Sequence, residues 1–412
     1  MQDIKWILEN PEAVEKGAKR KGGEVDIDKI VSLSAKRNET LQKVEALRAR
    51  QNEVSKQIPN TDDKKALLEE MGKVKAEIKS LDPALTKLEA EIDELAMQVP
   101  NPPLDSTPDG GEEDSVVVST HGEKPEFDFE IQDHIQLGKK HDIIDIERGT
   151  RTSGVRFYYL KNEAAMMEFA LIQFVSQKLI AKGFSPIIPP VLVKEEAMFA
   201  TGFFPADKNE IYQVDDLYLA GTSEVPLTML HYNEIIDVTE PKRYFAFSPC
   251  FRREAGSYGK DTAGIIRVHQ FNKMEMFVFC HPEQSEAEHE LIRETEEEIM
   301  QELGFHYQVV NIAAGDLGAP AVKKYDIEVW IPTQDKFREL TSASNCTDFQ
   351  SRRAKIRYTE DGKKHYVHTL NGTAFADTRT LVALIENNQN SDGTITIPEV
   401  LRPFMGGREQ IG

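Results

Sequence analysis

The sequence reads Phe251-Arg252-Arg253-Glu254-Ala255-Gly256 at one point and Arg267-Val268-His269-Gln270-Phe271 shortly after, and these two segments decide the interpretation of the fold. Residues 268–279 alternate roughly between apolar and polar side chains, which is typical of a half-buried antiparallel strand. The segments are therefore predicted to form two paired strands. Glycines 256, 259 and 264 in the connecting loop would let a ligand approach the backbone closely.

The predicted hairpin brings Arg252 and Arg267 toward one place. A guanidinium group is a rigid fork of donors that matches phosphate oxygens, and an aromatic ring such as that of Phe271 can stack on a base. These residues favour a nucleotide site. On the hairpin alone, a pair of strands with surface ion pairs explains the pattern equally well.

Composition indicates a folded acidic protein. The chain has 412 residues, 40% hydrophobic residues and a net charge of −20, and this length favours two domains over one. We find no apolar run of the roughly 18 residues that a membrane span needs and no evident signal peptide, so we expect a cytoplasmic protein without a membrane partner. Three widely spaced cysteines indicate buried thiols and neither disulfides nor a zinc site.

Residues 27–99 carry the clearest architectural pattern. Apolar positions recur at alternating spacings of three and four, which is the seam of a coiled coil, and Pro59-Asn60 interrupts the pattern in the middle. Two helices joined by a short turn must run antiparallel. The sequence therefore predicts an antiparallel two-helix arm.

The first helix of the arm is predicted to carry a basic side, with Lys36, Arg37, Lys43, Arg48 and Arg50 among its seven lysines and arginines. Charged faces of coiled coils are commonly only solvated, and that explanation stays open. A basic stripe on a strongly acidic protein is also suited to bind a polyanion selectively.

We predict an N-terminal domain over residues 1–100, a linker over 101–126 and a larger domain over 127–412. In the larger domain, helical and strand patterns alternate too irregularly for a regular βαβ fold. We expect an α+β domain with a mixed, mainly antiparallel sheet flanked by helices. Ile187–Val193 is predicted as one of its strands.

Two polar clusters add to the hairpin. Thr222-Ser223-Glu224 follows a predicted strand and precedes a helix, so Glu224 is either a capping residue or part of a pocket for an ammonium group. Glu339 and Ser342 offer a carboxylate and a hydroxyl, which suit Mg²⁺, but a polar strand end is an equally good explanation. For both to meet one ligand, the strand must bulge or turn after Leu340.

A third cluster is Asn371-Gly372-Thr373, followed by Arg379 at the start of an apolar helix. An arginine at a helix N-terminus opposes the helix dipole. It is therefore a poor choice for stability, and a ligand role becomes more plausible. A P-loop or a Rossmann glycine fingerprint is not found.

With these motifs the chain resembles a seryl-tRNA synthetase of the bacterial type, a class II aminoacyl-tRNA synthetase. Pro190 matches motif 1 of the class, residues 252–275 match motif 2, and residues 371–379 through Gly406-Gly407 match motif 3. The predicted arm resembles the tRNA-binding arm of that family. The resemblance extends nearly from end to end and implies the class II catalytic fold behind an N-terminal coiled-coil arm.

The resemblance also implies residue roles. It assigns ATP binding to Arg252, Arg253, Glu254, Arg267, Phe271, Glu339, Leu340, Thr341, Ser342 and Arg379. Serine binding falls to Thr222, Ser223, Glu224, Glu275 and Thr373, Mg²⁺ binding to Glu339 and Ser342, and tRNA binding to the five cations of the arm. The residues expected to be catalytic are Arg252, Glu275, Glu339 and Arg379.

The function implied is ATP-dependent activation of L-serine and its transfer to serine tRNA by a homodimer. Whether selenocysteine tRNA is a second substrate stays open. A catalytically inactive RNA-binding paralogue and a ligase that loads an amino acid onto a carrier protein are the alternatives. Ala374-Phe375-Ala376-Asp377 departs from the run of small residues that is usual in the family, and Asp377 adds a negative charge near the expected triphosphate.

Overall fold

The computed structural model describes residues 4–60, 64–255 and 263–412. Gly256 and Gly259 of the predicted hairpin loop lie outside the described residues. The chain divides into two compact units, Met1–Pro102 and Pro103–Gly412. The domain limits that we derived from the sequence remain a prediction.

The first unit is helical and consists of α1 (Ile4–Glu9), α2 (Pro11–Arg20), α3 (Ile27–Gln57) and α4 (Lys64–Met97). The side chain of Asp26 caps α3 by accepting the Lys29 N–H at 2.9 Å. Helices α3 and α4 pack along the predicted seam, where Val44, Val54 and Val74 are buried. The two helices thus form the coiled-coil arm that the heptads predict, with a turn at Ile58–Asn60.

The helices of the second unit are α5 (His134–Lys140), α6 (Ile146–Ser153), α7 (Asn162–Ala181), α8 (Glu195–Thr201), α9 (Glu224–Thr228), α10 (Ser285–Glu302), α11 (Phe349–Ala354) and α12 (Asp377–Asn387). Its strands are β1 (Val116–His121), β2 (Ile144–Asp145), β3 (Tyr159–Leu160), β4 (Ser185–Ile187), β5 (Leu192–Val193), β6 (Gln213–Val214), β7 (Leu217–Leu219), β8 (Lys242–Phe251), β9 (Gln270–Cys280), β10 (Tyr307–Asn311), β11 (Lys323–Ile331), β12 (Lys336–Thr347), β13 (Arg357–Glu360), β14 (Lys363–Tyr366), β15 (His368–Ala376), β16 (Ile395–Thr396) and β17 (Gln410–Ile411).

A sheet with the strand order β1-β10-β11-β12-β15-β9-β8-β4 forms the centre of this unit. All neighbours are antiparallel except β4 and β8, which are parallel. Helices α7, α10 and α12 contribute buried apolar side chains to the same core as the sheet. The mixed, mainly antiparallel sheet flanked by helices is therefore confirmed.

Helix α7 is long and apolar enough to cross a membrane by length and composition alone. Its residues Met167, Leu171 and Val175 are nevertheless buried in the core of the unit. This burial is typical of a core helix.

Two stretches differ from the sequence-based expectation. The predicted strand Ile187–Val193 is split between β4 and β5, which belong to different sheets, because Pro189 and Pro190 have no N–H to donate to a ladder. Within the predicted linker, β1 pairs with β10 at the edge of the large sheet. Part of that stretch is therefore regular structure.

Candidate active site

A cavity opens over β9, β12 and β15, and most of the predicted ATP-binding residues line it. Its lining consists of Arg252, Glu254, Ile266, Arg267, Val268, Phe271, Lys273, Glu339, Leu340, Ser342, Thr373, Ala376, Thr378 and Arg379. Strands β8 and β9 supply the motif 2 side chains, because they pair in register from Lys242↔Phe279 to Phe251↔Gln270. The predicted hairpin is thus present.

Arg252 is fixed at the end of β8. Its backbone N–H donates to the His269 carbonyl at 3.0 Å, which extends the pairing of the two strands by one step. Its guanidinium lies 5.2 Å from the centroid of the Phe271 ring and donates to the Gly221 carbonyl at 3.3 Å. The Phe271 ring and the Gly221 carbonyl therefore hold the Arg252 guanidinium at the cavity. Among the contacts described, no carboxylate pairs with this guanidinium.

Arg267 pairs with Glu254 at 2.6 Å, so one of the predicted phosphate ligands already has an acidic partner. Glu254 has a φ of 52°, a conformation that non-glycine residues rarely adopt. The chain turns sharply at this residue, and the turn brings the Glu254 carboxylate back to Arg267.

Strand β12 bulges at Leu340. Glu328 of β11 pairs with Glu339 and Ile327 with Thr341, so Leu340 is an extra residue without a partner in the ladder. Glu339 and Ser342 consequently line the same cavity. The strand therefore bulges, as the sequence pattern required. The bulge lies at Leu340 itself, whereas we expected it after Leu340.

The same bulge turns Thr341 away from the cavity. Its buried hydroxyl donates to Glu296 of α10 at 3.1 Å. Helix α10 lies close to the sheet because Gly372 has no side chain, and a Cβ at that position would come within 2.3 Å of Ile292. The predicted contact of the Thr341 side chain with ATP does not fit this placement.

Glu339 is the electrostatic partner of Arg379. Nη1 of Arg379 lies 3.3 Å from the Glu339 carboxylate and donates to the Glu339 carbonyl at 2.8 Å. The Glu339 side chain is partly exposed, and Arg379, with Lys324 and Arg252 nearby, holds its pKa well below its usual range. The cavity thus contains a carboxylate that stays ionised.

Lys273 and Glu275 form a buried ion pair beside these residues. They stand two positions apart on β9 and so share a face of the sheet, and Thr373 of β15 is directly opposite Glu275. Burial raises the pKa of Glu275, while Lys273 and a hydrogen bond from Thr222 oppose that shift.

Glu224, the first residue of α9, is held by two side-chain amides. Its Oε1 accepts from Gln350 at 2.6 Å and from Asn371 at 3.1 Å. Burial and the neighbouring Glu275 raise the pKa of Glu224 to about 7. Two carboxyls with hydroxyls close by are a suitable set of acceptors for a small ligand that carries an ammonium and a hydroxyl.

Two other predicted site residues are less well placed. The Ser223 hydroxyl is buried and lies 2.7 Å from the Ser248 hydroxyl. Arg253 is exposed and donates its backbone N–H to Glu210 at 2.8 Å, and its side chain does not line the cavity as far as the described residues define it.

Sequence reasoning missed Lys273 and Gln350 as site residues, and it placed Asn371 in a polar cluster without giving it a role. Lys273 could have been found, because a lysine two positions before Glu275 on an alternating strand must point the same way. The contacts of Gln350 and Asn371 with Glu224 could not be predicted, since both residues are distant from Glu224 in the sequence.

A family model described as tRNA synthetase class II core domain (G, H, P, S and T) matches residues 208–388, and one described as seryl-tRNA synthetase N-terminal domain matches residues 1–103. The chain is 47% identical to the serine–tRNA ligase of Corynebacterium glutamicum, over 98% of this chain and 97% of that protein. The chain belongs to the seryl-tRNA synthetase family.

Solved structures of this family are similar over the whole chain. The seryl-tRNA synthetase from Pyrococcus horikoshii complexed with ATP has a TM-score of 0.94 and 40% identity, covering 100% of this chain and 99% of that chain. The cytoplasmic serine–tRNA ligase from Naegleria fowleri in complex with AMP has a TM-score of 0.90 and 33% identity, covering 100% of this chain and 98% of that chain.

The cations that the family resemblance assigns to tRNA lie on α3, and most of them have partners in the arm. Ion pairs join Arg37 to Glu89, Lys43 to Glu39, Arg48 to Asp82, and Arg50 to both Glu53 and Glu70. Among the described ion pairs, Lys36 takes part in none. The predicted basic side is therefore partly neutralised within the arm itself.

Proposed function

We propose that this chain is a serine–tRNA ligase, which activates L-serine with ATP and transfers the seryl group to the 3′ end of serine tRNA. The observation that carries the proposal is the cavity in which Arg252, Arg379 and Glu339 meet, next to the buried Glu275 and the half-buried Glu224. Relatives of nearly equal length that are named serine–tRNA ligase support it.

In the first step, the carboxylate of serine attacks the α-phosphorus of ATP and pyrophosphate leaves. A carboxylate is already a nucleophile, so no general base is needed and catalysis depends on positioning and charge stabilisation. We assign the α-phosphate to Arg252 and the distal phosphates to Arg267. In the second step, a terminal hydroxyl of the tRNA attacks the mixed anhydride and AMP leaves.

We place the adenine between Phe271 and Arg379, which both line the cavity. Glu339 and Ser342 fit Mg²⁺, since they offer hard oxygen ligands in one cavity and Glu339 is kept ionised by its cationic neighbours. The cation would neutralise part of the phosphate charge there.

We assign the serine side chain and ammonium to Thr222, Glu224, Glu275 and Thr373. Buried acceptors that are made for a hydroxyl reject alanine, because they would lose their partner. A larger amino acid such as threonine would be excluded by its size.

Amino-acid-dependent exchange of labelled pyrophosphate into ATP, measured with each of the twenty standard amino acids, tests this assignment. We expect exchange with serine alone, and Arg252→Ala should reduce it about a hundredfold or more, because loss of a donor to transition-state charge costs about 3 kcal/mol. If none of the twenty amino acids supports exchange, the chain is the inactive RNA-binding paralogue. If exchange occurs and the amino acid is transferred to a carrier protein but not to tRNA, the chain is the carrier-protein ligase.

We also propose that the enzyme is a homodimer that uses the segment around α7. Large apolar side chains are exposed there, including Val155, Phe169, Ile180 and Ile188, and the side chain of Ile188 is 97% exposed. Exposed apolar patches of this kind mark interaction surfaces. A monomer of 46.6 kDa with full activity in analytical ultracentrifugation would contradict the proposal.

We further propose that the arm binds the tRNA and that the enzyme acts in the cytoplasm. Selenocysteine tRNA is the natural second substrate to assay. Aminoacylation of purified serine and selenocysteine tRNAs, compared with a tRNA for another amino acid, tests the range of substrates.

A further inference from the structure

Strand β15 leaves the sheet at the point where helix α12 begins. The last pair of the ladder is Ala376↔Lys273, so the next residue of β9, Asn272, has no β15 backbone carbonyl to bond. Oδ1 of Asp377 takes that place. It accepts the Asn272 N–H at 3.0 Å and the Thr378 N–H at 2.6 Å.

One carboxyl group therefore joins the start of β9 to the first turn of α12. The bond to Thr378 lies within the first turn of α12, whose N-cap residue Ala376 makes no side-chain cap bond. The second bond, to Asn272, reaches a different element and gives Asp377 a role beyond the local structure of the helix.

The surroundings of Asp377 are buried and closely connected. Asp377 has no exposed surface, and the Tyr158 hydroxyl donates to its Oδ2 at 3.4 Å. The side-chain amide of Asn272 donates to the Glu168 carboxyl of α7 at 2.6 Å. Within the described part of the chain, the titratable groups that face Asp377 are Tyr158 and Glu168.

The two joined elements carry the residues assigned to the adenine. Phe271 immediately precedes Asn272, and Arg379 follows Asp377 by two positions. We infer that Asp377 is a positioning residue for ATP, which sets the spacing between the Phe271 ring and the Arg379 guanidinium through its bonds to Asn272 and Thr378. This inference rests on the proposed function, since it concerns the same nucleotide site.

The position also accounts for the unexpected acid in this motif. Burial and the nearby Glu168 raise the pKa of Asp377 to about 8. The side chain is mostly neutral at neutral pH and adds little negative charge beside the phosphates. Its role in the site is that of a hydrogen-bond acceptor.

The experiment compares Asp377→Ala, which removes the acceptor, with Asp377→Asn, which keeps an oxygen at the same place. Leu384→Ala serves as the control, since it truncates a buried side chain of α12 outside the described cavity lining. For each variant, the KM values for ATP and serine are measured by pyrophosphate exchange. Binding of a non-hydrolysable ATP analogue is measured by calorimetry.

We expect Asp377→Ala to raise the KM for ATP and the Kd of the analogue about tenfold, the effect of one or two lost hydrogen bonds, with the serine KM unchanged. Asp377→Asn should restore most of the affinity, and Leu384→Ala should lower thermal stability without this selective effect. Equal ATP affinity in Asp377→Ala and the unchanged enzyme would overturn the inference, and so would an equal loss in Leu384→Ala. Absence of serine-dependent exchange in the unchanged enzyme would refute the proposed function instead.

Discussion

Gln350 donates a hydrogen bond of 2.6 Å to the carboxylate of Glu224. The amide oxygen of Gln350 in turn accepts from the Thr369 hydroxyl at 2.8 Å, so the glutamine is held at both ends. It is fully buried. The orientation of the proposed serine ligand Glu224 therefore depends on a residue that is distant in sequence and to which the sequence analysis assigned no role.

Gln350→Met removes the donor at similar volume. We expect the serine KM to rise about tenfold while the ATP KM stays the same, since a lost bond to a charged group costs about 1.5–3 kcal/mol. Gln301→Met is the matched control, because Gln301 donates to the Tyr307 hydroxyl at 2.8 Å and to no proposed ligand. Steady-state pyrophosphate exchange gives both KM values, and a parallel rise for serine and ATP would contradict a selective role.

Serine affinity should depend on pH through Glu224. Its pKa is about 7 in the free enzyme, whereas a bound ammonium favours the ionised carboxylate. Acidification below pH 7 therefore makes serine compete with a proton, and the serine KM should rise by up to about tenfold per pH unit. In Glu224→Gln the serine KM should be high and should lack this rise. A flat serine KM between pH 6 and 8 in the unchanged enzyme would refute the prediction.

The buried pair Lys273–Glu275 should contribute strongly to stability. Lys273→Met leaves a buried carboxylate without its partner, and such losses cost about 3–5 kcal/mol. The double variant with Glu275→Gln should recover part of that loss, because no unpaired charge remains. Urea unfolding measures each free energy. As a control, Lys178→Met breaks pairs with the more exposed Glu298 and Glu302 and should cost about 1 kcal/mol or less.

Asp377→Asn should stabilise the protein at alkaline pH. Between the usual pKa of an aspartate and the folded value of about 8, the folded state holds a proton that the unfolded state has lost. The contribution of Asp377 to stability therefore falls as the pH rises through this range. Asparagine does not titrate, so the Tm difference between variant and unchanged enzyme should grow from pH 5 to pH 8, by about 5 °C or more. An equal difference at both pH values would contradict the raised pKa.

The arm should matter for tRNA and not for serine activation. We expect deletion of about residues 38–88, closed by a new turn, to spare pyrophosphate exchange and to lower tRNA charging at least a hundredfold. Reversal of charge at Lys43, Arg48 and Arg50 should give a milder loss that depends on salt, since phosphate contacts weaken steeply with salt. Lys29→Glu is the control, because Lys29 lies on α3 outside the proposed tRNA-binding set and its replacement breaks an ion pair with Glu91 of α4. Normal charging by the armless enzyme would mean that the arm has another role.

Much of the fold could be predicted because its signals are local. The heptad seam predicted α3 and α4, and the alternation over residues 268–279 predicted β9. The split of Ile187–Val193 into two strands was missed, although Pro189 and Pro190 are visible in the sequence and interrupt strand pairing. The pairing of β1 with β10 was missed because a lone edge strand gains its partner only in the folded sheet.

The candidate site likewise contains residues that could be placed from local sequence and residues that could not. Residues within one motif, such as Arg252 and Phe271, could be placed together from the sequence. The side chains of Arg253 and Thr341, which we had assigned to ATP binding, do not line the cavity as far as it is described. For Thr341 the reason is physical, since the bulge at Leu340 exchanges the faces of the strand after it.

Because of that bulge, insertion or deletion of a residue in β12 would change which side chains face the cavity. Deletion of Leu340 would restore strict alternation, and either Glu339 or Ser342 would then leave the cavity. Replacement of Leu340 by another apolar residue keeps the count and fills the same buried space. Between Glu339 and Ser342, insertions and deletions should therefore be excluded from functional forms of this enzyme, while Leu340 itself tolerates exchange of its side chain.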